Sequence, residues 1–92
     1  MTHPVRGKLE DKILIELIEA DVDIGFGLVD EAKSYRASGQ PELSSRVLQN
    51  AEDILADIER RLQRLGDSES GPFRLLVTEL RKEIAALDQE PS

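Results

Sequence analysis

Six carboxylates, Glu16, Glu19, Asp21, Asp23, Asp30 and Glu31, lie between Lys12 and Lys33 with no base among them. Helical spacing puts Glu16, Glu19 and Asp23 on one face, close enough to share a cation. Helical bundles that hold two metals add histidines in Glu-x-x-His pairs, and the single histidine of this chain is His3. Calcium loops surround a glycine turn with dense oxygen ligands, and Asp21-Val22-Asp23-Ile24-Gly25 lacks the rest of that spacing. The run reads as a solvated acidic face, so no metal and no cofactor is expected.

Catalysis finds equally little material. A Ser–His–Asp arrangement has only His3 to offer as base. Cysteine is absent, which removes disulfides, thiolate nucleophiles and cysteine zinc sites. Gly25-Phe26-Gly27 is too brief for a nucleotide-binding turn, and no phosphate-binding loop follows it. The expectation is a protein that is not an enzyme.

Two constellations suit contacts rather than reactions. Arg60, Arg61 and Arg64 precede Gly66 and offer a local basic patch. The formal charge of −7 opposes binding to phosphate backbones or anionic lipid. Cations in a last helical turn also complement the helix dipole, which accounts for the three arginines without a ligand. The alternative function kept on their account is a small regulatory subunit of a nucleic-acid-associated complex. The second constellation is Val22, Phe26, Val29, Lys33 and Arg36, spaced three or four apart. It is either core under a third helix, with the two cations solvated, or a protein-binding stripe for a second copy (a homodimer) or a foreign peptide.

These residues must be positioned by helices. Ninety-two residues make one domain with a modest core. Apolar residues make up 39% of the chain and aromatics 3%, so the core must be built from Leu, Ile, Val and Ala. No stretch alternates as a half-buried strand does, and no apolar run reaches the ~20 residues of a membrane helix. The N-terminus has no hydrophobic signal core, which places the protein in the cytoplasm as an expectation.

Three helices are predicted, between a flexible tail at 1–7 and another at 89–92, with a single helical domain at 8–88. The first runs from about Lys8 to Ser38 through Leu9, Ile13, Leu14, Leu17, Ile18, Ile24, Leu28, Ala32 and Tyr35. Residues 13–18 are apolar on more than one face, as two neighbouring helices require. Gly25 and Gly27 allow tight packing or mark a kink, with a continuous helix expected. Gly39 ends the helix and Pro41 starts the next. The second runs to Leu65 through Leu43, Val47, Ala51, Ile54, Ile58 and Leu62, with Gly66 as its stop. A polar loop at 67–71 then leads to a third helix from Pro72 to about Asp88, burying Phe73, Leu76 or Val77, Leu80, Ile84 and Leu87. The fold class is therefore all-α, a three-helix up-down-up bundle with a long first helix. At ~1.5 Å per residue the first helix spans about 46 Å and the third about 26 Å. The third helix is expected beside the N-terminal half of the first, leaving Leu28 to Gly39 as a two-helix hairpin open to partners.

Ala32, Tyr35, Gly39, Ser44, Leu48 and Ala51, spaced across the turn, resemble one repeat of the tetratricopeptide family over roughly residues 25–56. Ser44 stands where the family has alanine, Leu28 where it has a larger aromatic, Glu31 where it has an apolar residue and Ala56 where proline ends the repeat. The resemblance implies a hairpin crossing at small residues (a TPR-like hairpin between the first two helices). It also implies peptide binding on the inner face, at Phe26, Val29, Lys33 and Arg36. No second copy follows, so residues 72–88 either cap a single unit or complete a plain bundle. The expected function is a small non-catalytic protein–protein interaction module, self-associating through this face.

Overall fold

The computed structural model describes residues 3–89, with the side chains of 3–8 and 67–68 outside the description; the predicted tails fall partly beyond it, at 1–2 and 90–92. Three helices make up an all-α fold: α1 His3–Ala37, α2 Pro41–Leu62 and α3 Asp67–Gln89. α1 thus starts several residues before the expected Lys8.

The α1–α2 turn is closed by local chemistry. Gly39 takes φ +76°, the only positive φ among the described residues. Its N–H donates to the Arg36 carbonyl at 3.1 Å, and that of Gln40 to Tyr35 at 2.9 Å. This pair of bonds is a Schellman closure, which satisfies carbonyls that the ending helix would leave bare. Pro41 then occupies the first turn of α2, where its missing N–H costs no bond. Ser44, buried at the crossing, donates its hydroxyl to the Ala32 carbonyl at 2.9 Å. Ala32 and Ala51 are fully buried on either side of it.

The second connection departs from expectation. α2 ends at Leu62, and residues 63–66 form a tight turn in which Arg64 and Leu65 donate to the Arg61 and Leu62 carbonyls. Leu65 is buried in that turn rather than in the helix. Gly66 does not stop α2; its carbonyl receives the N–H groups of Glu69 and Ser70, which opens α3 at Asp67. The predicted polar loop is the first turn of α3, and Pro72 lies inside the helix. Proline there removes a single ladder bond close to the N-terminus, while its fixed φ suits a helix.

α2 and α3 have 22 and 23 residues against 35 in α1, about 33 and 35 Å against about 52 Å. Folding back from Gly39, α2 runs out beside the middle of α1, where Arg61 meets Asp21. α3 therefore starts at mid-α1 and returns along its C-terminal half: Gly25 faces Leu80, and Lys33 pairs with Glu83 at 3.0 Å. The expected asymmetry is reversed, because the third helix begins where α2 ends and not where α1 begins. The hairpin end has its third neighbour. The N-terminal part of α1 projects beyond the bundle, in a molecule of 59 × 17 × 14 Å.

One core joins the three helices. α1 contributes Leu14, Ile18, Val22, Val29 and Ala32; α2 contributes Val47, Leu48, Ala51, Leu55 and Ile58; α3 contributes Phe73, Val77, Leu80, Ile84 and Leu87. Of the pair left open for α3, Val77 is buried and Leu76 exposed. Leu43 on α2 is exposed as well. α1 is continuous through both glycines. A Cβ on Gly25 would stand 2.8 Å from Leu80 Cδ2, whereas one on Gly27 would meet nothing within 4 Å. Gly25 allows close packing, and Gly27 lies on open surface.

Candidate interaction surface

The stripe expected to bind protein lies against α3. Val22 is 5% exposed and Val29 fully buried, both in the core, and Phe26 packs partly buried against it. Lys33 forms an ion pair with Glu83, and Arg36 is half-buried with a buried Nε. The structure buries Val22 and Val29 within the molecule and packs Phe26 against them, so these three are not an open docking face, while Lys33 stays exposed at their edge. The physical reason is the position of α3, which runs back along this side of α1.

Two of the three arginines of the basic patch are engaged, and the third, Arg64, is exposed in the turn beyond the end of α2 rather than in its last helical turn. Arg61 pairs with Asp21 of α1, and Arg60 pairs with Asp57 one turn earlier. Both stand in the last turn of α2, as the helix-dipole reading expects. Glu16, Glu19 and Asp23 are exposed, and among the described residues no such group is arranged to hold a metal ion. A shallow groove between α2 and α3 is lined by Glu59, Leu62, Arg74, Val77, Thr78 and Arg81, among others. Among the described residues that line it, the carboxylate of Glu59 is paired with Arg81. No helix of the described residues is long and apolar enough to cross a membrane.

The surface that stands open is the opposite side of α1. Leu9, Ile13, Leu17 and Ile24 are 58%, 50%, 43% and 50% exposed. With Ala20 and Gly27, also exposed, they form one stripe facing away from α2 and α3. Leu14 and Ile18, one position further round, point into the core. α1 is thus apolar on two opposite faces, and the bundle covers one. The sequence carried this signal in residues 13–18, read there as a sign of two neighbours within the chain. Single exposed leucines are ordinary on a protein surface; four aligned on one helix over about four turns form a contiguous patch.

No family model, no curated protein and no solved structure matches this chain.

Proposed function

We propose that this chain is a non-catalytic helical protein–protein interaction module that meets its partner through the outward face of α1. The observation that carries the reading is the exposed row Leu9, Ile13, Leu17 and Ile24. These side chains contribute nothing to the core, yet they are spaced as regularly as those that do. An apolar helix face gains about 25 cal/mol for each Å² removed from water, and association is the available route to that gain. The partner is a second copy, as the sequence suggested, or a different protein.

A photo-crosslinking residue in place of Ala20, within the stripe, tests the proposal in the cell that makes the protein. The same residue at Asn50, exposed on α2, is the control. A protein adduct is expected at position 20 and not at 50, and it is expected to vanish when Ile13 and Ile24 are changed to Gln. Equal labelling at both positions, or an adduct that survives those changes, would overturn the proposal.

A further inference from the structure

Resting on that reading, we propose that the occupant of the outward α1 face is a basic amphipathic helix of another protein. Ile13, Leu17, Ala20, Ile24 and Gly27 follow one another at steps of four, three, four and three residues. This is the seam of a two-helix coiled coil, a geometry that a helix fills and a strand does not. Ala20 and Gly27 have no bulk to hold the incoming axis away, and space beside Gly27 is open. Continuing the same register, Glu10 and Glu31 fall on seam positions at its two ends, and Leu9 stands on the flank beside Glu10. The apolar seam is therefore bounded, at about four turns.

Charge selects the occupant. The flanking positions immediately before Leu17, Ile24 and Glu31 are Glu16, Asp23 and Asp30, at seven-residue intervals. All three are exposed, and none has an ion pair among the described residues. The other flank carries Leu14 and Asp21, which belong to the bundle, Asp21 through its pair with Arg61. In a coiled coil these flanking positions set partner choice. A second copy laid antiparallel brings the acidic flank against its own like. A second copy laid parallel brings it toward Leu28 and toward Asp21, where the nearby cation, Arg61, is already paired with Asp21. The antiparallel orientation sets like charges together and the parallel one meets only a cation that Asp21 already engages, so self-association gains less from these residues than a foreign basic helix would. A partner with apolar residues at the matching steps and Lys or Arg facing Glu16, Asp23 and Asp30 satisfies both demands.

The test uses labelled synthetic helical peptides of about 18 residues, five helical turns, and the full chain, read by fluorescence anisotropy. One peptide carries the apolar seam with lysines on the facing flank. A second replaces those lysines by glutamate. A third has the basic composition in scrambled order. We expect the basic seam peptide to bind at least about tenfold more tightly than either control, and less tightly as salt is raised. Glu16→Gln, Asp23→Asn and Asp30→Asn together are expected to remove about tenfold of that affinity and most of its salt dependence. Ile13→Gln with Ile24→Gln is expected to abolish binding while thermal unfolding stays as in the parent, which separates contact from folding. Equal affinity for the charge-reversed peptide would overturn the proposal. So would a dimer of the chain itself, in sedimentation, that dissociates on Leu17→Gln. Crosslinking at position 20 without preference for the basic peptide leaves the interaction module standing and removes the basic helix; failure of both removes both.

Discussion

Two glycines only two residues apart show how a single side chain's surroundings decide its worth. Gly25 and Gly27 each give up helix propensity, up to about 1 kcal/mol against alanine. At Gly27 that loss has no packing return, since a methyl group there would meet nothing within 4 Å. Gly27→Ala is expected to stabilise the fold by about 0.5–1 kcal/mol in urea unfolding followed by circular dichroism. Gly25→Val should instead destabilise it by about 1–3 kcal/mol, because its Cβ would press on Leu80, a fully buried side chain. Equal shifts for the two would show that α1 and α3 do not pack at Gly25. Sequence alone marked both glycines without separating them. Each sits among helix formers, and the difference comes from Leu80, on a helix far along the chain.

Among the elements, the hairpin turn was legible and the second turn was not. Gly39, Gln40 and Pro41 carry their geometry in their own backbone: one residue at positive φ, one proline at a helix start. Gly39→Ala forces a side chain into that left-handed conformation and is expected to cost about 1 kcal/mol in the same unfolding measurement, with helix content unchanged. No loss of stability would mean that the turn can close another way. At the second connection, Gly66 and Pro72 misled by their usual roles, stop signal and helix start. Gly66 accepts the opening bonds of α3, and Pro72 sits inside the helix because a single lost bond near an N-terminus is tolerable. Placing a loop at 67–71 was enough to shorten the expected α3. The stripe Val22–Phe26–Val29 is regular in the sequence, and the structure puts it in and against the core. Its role depended on where α3 lay, and no local pattern encodes that.

For the molecule as a whole, the excess of α1 over α2 is the dominant fact. Among the described side chains, the first buried along α1 is Leu14, and Leu9 and Glu10 are exposed. Removal of residues 1–10 is therefore expected to leave unfolding free energy within about 0.5 kcal/mol of the parent, since among the described side chains burial starts beyond them. Removal through Ile18 deletes the core side chains Leu14 and Ile18 and should abolish cooperative unfolding. A large loss from the shorter deletion would show that the projecting segment folds back onto the bundle. The all-α class and the long first helix were both readable from periodicity and composition. The outward face was recorded in the sequence within one undivided series of apolar residues spaced along α1, Leu9 to Tyr35. Dividing that series into a covered and an uncovered side needs the other two helices in place.

The continuity of α1 has a further consequence, for rotational phase. The projecting segment and the part that carries Gly25 belong to one rod with no break between them. Inserting one residue between Glu10 and Ile13 would turn everything before it by about 100° and advance it by about 1.5 Å. The core from Leu14 onward would keep its place, while Leu9 would swing away from Leu17. Length changes in this helix are thus tolerated by the surface only in steps that restore its angle, so α1 behaves as a ruler whose graduations are turns as well as distances.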